Sequence, residues 1–236
     1  MRVALCMRGA ISKKKGDFHY KNQLYMNSEY VDFKKCYDSI KKHIIDVNKE
    51  HHFDIFCQSW SYNLENEIKN LYNPVKYNFE DNRKYNDEIS SLCTPNNFSG
   101  VSQALAIKKT IELKEEYEKE QNIKYDIVIL YRYDVLLWKN MILNEYENIF
   151  NNDIYVNAHS DCNGDFHFVM NNNNSYEFKY LYDSIKLGNA CIMHYWIKNY
   201  VLNFMKKTII MDKIVPGKNQ EVIRKIPPHN VVINFG

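Results

Sequence analysis

The chain has 236 residues, a formal net charge of +2, 45% hydrophobic and 25% charged residues, the balance of an ordinary soluble globular domain. Aromatic residues supply 14%, enough apolar surface to offset the entropy of ordering the chain, which excludes disorder, and the near-even charge gives no reason to expect a nucleic-acid partner. No run of about 18 uncharged apolar residues occurs, and Arg8 interrupts the first apolar stretch before a signal-peptide core could form, so neither a membrane span nor Sec-dependent export is expected.

Val3 to Met7 is a short apolar run stopped by Arg8-Gly9, which predicts a buried strand ending in a turn. Lys13 to Asp32 is polar and patternless, with Lys13-Lys14-Lys15 as a solvated loop. Phe33, Cys36, Tyr37, Ile40, Ile44 and Val47 recur at helical spacing, and Asp32 is placed to cap that helix. Phe53 to Trp60 reads as a second strand, Asn63 to Leu71 as a helix broken at Asn73-Pro74, and Val75 to Phe79 as a third strand. Glu80 to Gly100 is polar, contains Pro95, and reads as a long loop. A strong helix with Ala104, Ile107 and Ile111 on one face follows.

Residues 125–138 carry the most information. Ile127 to Leu130 is a continuous apolar run, expected of a central strand buried on both faces. Strands are also expected at 153–157 and 166–170, separated by a polar turn at His159 to Asp165. Asn174 with Glu177 has capping-box spacing for a helix, a longer helix spans about Ala190 to Lys207, and the tail beyond Pro216-Gly217 is short strand and turn. The six cysteines, Cys6, Cys36, Cys57, Cys93, Cys162 and Cys191, lack C-x-x-C spacing and fit free thiols in a reducing cytoplasm.

Strands alternating with helices predict an α/β domain with a mostly parallel central sheet flanked by helices. In such sheets ligands gather outside the carboxyl ends of the strands, which here are Arg8-Gly9, Ser59-Trp60 and Arg132-Tyr133-Asp134. Thirty asparagines against five arginines suggest AT-rich coding and make Arg8 and Arg132 stand out. Arg132 and Asp134 can be a simple charge pair where a strand meets water. They can also serve a phosphate ligand, Asp134 coordinating a divalent metal and Arg132 neutralising phosphate charge. Trp60 and Tyr133, at strand ends, are candidates to stack on a nucleobase or sugar.

The segments 2–9, 52–60, 72–74 and 125–137, with a fainter continuation through Gly164-Asp165-Phe166-His167-Phe168, resemble a group of GT-A-type glycosyltransferases found in bacterial surface-polysaccharide clusters and in large DNA viruses. The resemblance implies a single GT-A-like, Rossmann-related domain over 1–236, with a nucleotide-binding part at about 1–138 and an acceptor-side part at about 139–236. It implies a nucleotide-sugar donor, such as a UDP- or GDP-sugar, held near Arg8, Gly9, Ser59, Trp60, Arg132 and Tyr133. It also implies Mn²⁺ or Mg²⁺ at an Asp-x-Asp motif, whose counterpart here is Arg132-Tyr133-Asp134. With Arg in place of the first Asp a metal ligand is missing, and the guanidinium can supply part of the phosphate neutralisation.

An inverting reaction would need a base for the acceptor hydroxyl. Asp165 is the first candidate and Asp161 the second, while Asp165 as a plain turn residue after Gly164 is the alternative. His194 lies at helical spacing with Ala190, Ile197 and Val201, as a core histidine would. By analogy with late histidines of GT-A enzymes it is also a metal-ligand candidate, ahead of His159 and His167. The expected activity is transfer of a sugar to a hydroxyl of a glycan or glycoconjugate. A nucleotidyltransferase and a non-catalytic nucleotide- or glycan-binding scaffold are the alternatives.

Overall fold

The computed structural model describes residues 1–11, 19–20, 23–24, 32–92, 97–158, 163–185, 193–215 and 218–222. In chain order the elements are β1 (Arg2–Arg8), β2 (His19–Tyr20), β3 (Gln23–Leu24), α1 (Phe33–Ile40), β4 (His52–Ser59), α2 (Glu65–Tyr72), β5 (Lys76–Phe79), α3 (Asn86–Leu92) and α4 (Phe98–Gln121). They continue with β6 (Ile127–Arg132), β7 (Val135–Leu137), β8 (Ile154–Ala158), β9 (Asn163–Asn171), α5 (Asn172–Phe178), α6 (Leu181–Ser184), α7 (Met193–Asn199), β10 (Ile209–Met211) and β11 (Gln220–Val222).

Seven strands form one sheet in the order β10-β8-β9-β6-β1-β4-β5. Six run in one direction and β9 runs against them, antiparallel to both β6 and β8. The apolar residues of β1 and β6 alternate between two cores: Ala4, Cys6, Val128 and Leu130 face one, and Val3, Leu5, Met7, Ile127, Ile129 and Tyr131 face the other. This explains the unbroken apolar runs, since both faces of a central parallel strand are covered. The first core holds α4 and α7, and the second holds residues of α1, α2 and the 141–149 segment. The result is the α/β layering with a mostly parallel sheet that the sequence pattern predicts.

Asp32 caps α1, its carboxylate accepting the Lys35 N–H at 3.1 Å. Asn73, in the left-handed region at φ 45°, ends α2. Helix α4 lies across β1, β4 and β5 and also touches α3, α5 and α6, so it is buried on several sides.

Three expectations are corrected. The 80–100 stretch is mostly helical, with a short turn at Asn82–Tyr85, then α3 and the start of α4; Pro95 and Cys93 lie outside the described residues. The cap of α5 is Asn171, which accepts the Asn174 N–H at 2.8 Å, three residues earlier than the capping-box reading. Residues 163–165 belong to β9 and not to a turn. The long helix expected at 190–207 is described from Met193 and widens into a π-helical turn at Tyr200–Phe204. Cys6, Cys36 and Cys57 are buried free thiols, and Cys162 and Cys191 lie outside the described residues.

Candidate active site

Three neighbouring parallel strands end at one rim. The register sets Arg8 of β1 beside Arg132 of β6. One step beyond the Met7–Cys57 pair, Gln58 of β4 falls beside Arg8. By strand alternation these three side chains share the face covered by α4. Because β9 runs in the opposite sense, its first residues arrive where the other strands finish. With Tyr131 opposite His167, Asp165 lies just past the end of β6.

A closed charge cluster results. Arg132 grips Asp134 through a fork, Nε to Oδ1 at 2.9 Å and Nη2 to Oδ2 at 2.7 Å, and reaches Asp165 Oδ1 from Nη1 at 3.1 Å. Such bidentate, charge-assisted bonds are the strong class. Gln103, from the first turns of α4, donates to Asp165 Oδ2 at 2.7 Å. Arg8 donates from Nη2 to the Asp165 backbone carbonyl. Strand β9 also supplies an aromatic face to each arginine: the Arg8 guanidinium lies 5.6 Å from the Phe168 ring centre and that of Arg132 5.3 Å from the Phe166 ring centre.

Burial opposes the charge of Arg132, but Asp134 and Asp165 hold it above its ordinary value. Burial also works against ionised Asp165, yet Arg132, His194 and Arg8 hold its carboxyl below the usual carboxylate range. Arg8, which bonds no carboxylate oxygen, is pulled by burial down to about 9 and stays protonated at neutral pH. Arg8, Arg132 and Asp165 are therefore ionised together, with the Asp134 carboxyl group held in the Arg132 fork.

The structure brings Arg8, Arg132, Asp134 and Asp165 together, with His194, half-buried on α7, within electrostatic range of Asp165. Gly9 follows β1 at φ 102°, a conformation that favours glycine. The Ser59 hydroxyl donates to the Gly9 carbonyl at 2.8 Å, and the Ser61 hydroxyl accepts the Ile11 N–H at 3.0 Å. Ser59 thus pins the turn behind Arg8.

Trp60 and Tyr133 do not present stacking faces. Trp60 is buried in the first core beside Tyr85, and Tyr133 is fully buried edge-on to Tyr72 in the second. His167 is buried and paired with Asp212 at 2.8 Å. His159 and Asp161 lie outside the described residues.

Sequence reasoning missed Gln103 and Gln58. Gln58 is fully buried with both carboxamide atoms unpartnered, and Arg8 Nε is likewise buried without a partner. Polar side chains in that state are costly unless they serve a ligand. The one signal for Gln58 was a glutamine inside an apolar strand, one residue before its rim.

The divalent metal that the resemblance implies can be tested against this donor set. Both Asp134 oxygens are taken by Arg132, and the Asp165 oxygens by Arg132 and Gln103. No group of three His, Cys, Asp or Glu side chains able to hold a metal occurs among the described residues. A divalent ion could reach these oxygens only by displacing the Arg132 guanidinium from both carboxylates. The residues present do not fit the metal.

No family model matches the chain, and no curated protein matches it. Solved structures do match. One is the crystal structure of a "putative nucleotide-diphospho-sugar transferase" from Desulfovibrio desulfuricans G20, at 10% identity and TM-score 0.49 over 94% of this chain and 81% of that one. The seven-stranded, mostly parallel sheet flanked by helices is consistent with a GT-A-like, Rossmann-related fold.

Proposed function

We propose that the protein is a glycosyltransferase that moves a sugar from a nucleotide diphosphate donor to a hydroxyl of a glycan or glycoconjugate. The observation that carries this reading is the meeting of Arg8, Arg132, Asp134 and Asp165 at the carboxyl rim of a parallel sheet. Two guanidiniums at a buried edge suit a diphosphate, whose leaving group gains negative charge as the sugar departs. Asp134 orients Arg132 through its fork, and Gly9 and Ser59 fix the turn that carries Arg8. The division of labour between about 1–138 and 139–236 is bridged at the site, since Asp165 and His194 come from the second part.

While Arg132 and Gln103 occupy its oxygens, Asp165 is a weak proton acceptor. A diphosphate that draws Arg132 toward itself weakens that hold and raises the proton affinity of the carboxylate. In an inverting displacement the acceptor oxygen bonds to the anomeric carbon, the bond from that carbon to the diphosphate oxygen breaks, and the hydroxyl proton passes to Asp165. Among the described residues no helix is long and apolar enough to cross a membrane.

The test is release of nucleoside diphosphate from a panel of nucleotide sugars, with and without candidate glycan acceptors, in wild type and Asp134→Asn. Nucleoside diphosphate release that Asp134→Asn abolishes supports the reading. Release of pyrophosphate would identify a nucleotidyltransferase, and binding without turnover a scaffold.

A further inference from the structure

We propose that the Arg8–Arg132 pair takes the place of the divalent cation, so that the protein binds the diphosphate of its donor without a metal ion. This rests on the glycosyltransferase reading and concerns the same site. The guanidinium of Arg132 lies between the carboxylates of Asp134 and Asp165, bonded to both, the position in which a bound cation would neutralise them. Its bonds use Nε and one hydrogen on each of Nη1 and Nη2, so each terminal nitrogen keeps a second hydrogen for a phosphate oxygen.

Arg8 adds a second positive charge one strand away, spending Nη2 on a carbonyl while its Nε has no partner. The unpartnered, fully buried carboxamide of Gln58 continues the row on the next strand. Aligned arginines on adjacent strands therefore place several N–H groups side by side at one rim, which suits the oxygens of two linked phosphates. A cation would have to break the Asp134 fork and then sit against the displaced guanidinium.

The experiment measures binding of inorganic pyrophosphate, UDP and GDP by calorimetry, in EDTA and in Mn²⁺, with Mn²⁺ uptake followed separately by electron paramagnetic resonance. Wild type is expected to bind at least one of these probes in EDTA, with no gain from Mn²⁺, and to take up no Mn²⁺ by itself. Arg132→Lys keeps the charge without the fork and should bind more weakly, still without metal. Arg132→Asp, checked for folding by circular dichroism, removes the guanidinium and sets a third carboxylate beside Asp134 and Asp165. Its affinity in EDTA should fall about ten- to a hundredfold, the range of one charge-assisted hydrogen bond, and Mn²⁺ should restore part of it.

Wild-type binding that requires Mn²⁺ overturns the inference and leaves the glycosyltransferase reading standing. Uptake of Mn²⁺ by wild type equal to that by Arg132→Asp overturns it in the same way. Absence of binding by every probe in both conditions overturns the inference and the donor reading together.

Discussion

Replacing Asp165 by Asn separates the two parts this residue plays. The carboxylate is buried, accepts from Arg132 at 3.1 Å and from Gln103 at 2.7 Å, and is held ionised by its cationic neighbours. Removing one partner of a buried ion pair costs about 3–5 kcal/mol when the other charge is left uncompensated, but Arg132 retains Asp134, so the smaller cost of one charge-assisted hydrogen bond, about 1.5–3 kcal/mol, applies. In a domain of this size that lowers the melting temperature by roughly 3–12 °C. The folded-state pKa is depressed, so the stability it contributes is present above the unfolded value, near 4, and is lost as pH falls through the folded value. Urea unfolding of wild type and Asp165→Asn should therefore differ at pH 7, begin to converge below about pH 4 and meet only below the depressed folded value. A mutant as stable as wild type at pH 7, or a gap that does not shrink in acid, would refute the ion-pair account. If Asp165 is also the base, turnover should drop far more than donor affinity.

Gln58→Leu should raise stability by about 1 kcal/mol or more, because it removes an unsatisfied buried amide, and weaken pyrophosphate binding in calorimetry; unchanged affinity would make Gln58 inert toward the ligand. Tyr133→Phe should leave nucleotide affinity at the wild-type level and stability within about 1 kcal/mol, whereas Tyr133→Ala should cost about 3–5 kcal/mol, since the ring is core; a selective loss of affinity in the Phe variant would return the ring to the donor site. A Cβ on Gly164 would clash with the Asn157 carboxamide, and Asn157 Oδ1 accepts the Phe166 N–H at 3.0 Å. Gly164→Ala should therefore destabilise by about 1–3 kcal/mol, and adding Asn157→Ala should recover part of that loss in the same denaturation assay.

The strand ending in Arg132 could be read from sequence because its apolar run is long enough to need cover on both faces, and Arg8 and Arg132 because charges directly after such runs mark the rim. The reversal of β9 could not, since an alternating strand has the same pattern in either direction. That reversal is what brings Asp165 to the end of β6. Tyr133 misled because a strand end was equated with exposure, whereas the turn after β6 folds its ring into the core against Tyr72. In α3 only Ile89 is fully buried, with Leu92 half-buried against the same core, so two apolar contacts were too few to show a period, and polar composition suggested a loop. Gln103 was hidden for the opposite reason: α4 is buried on several sides, and no single stripe marks the face that meets the site.

The position of Asp165 depends on groups outside the charge cluster. Two residues further along β9, His167 pairs with Asp212 at 2.8 Å and lies 3.2 Å from the Gln220 carboxamide, while its ring stacks on Tyr131. Asp212 also accepts the Tyr146 hydroxyl at 2.8 Å and the Ile214 N–H at 3.0 Å. These buried bonds tie β9 to the residue after β10, to β11 and to the segment before β8, so a slip of β9 against β6 would leave several polar groups unsatisfied at once. A one-residue slip would also turn Asp165 to the other face of the sheet. The carboxylate that Arg132 binds is thus fixed by a network of neutral and ionised side chains that touches none of the arginines. The precision of the site comes from strand register, and the arginines meet a carboxylate whose place is already set.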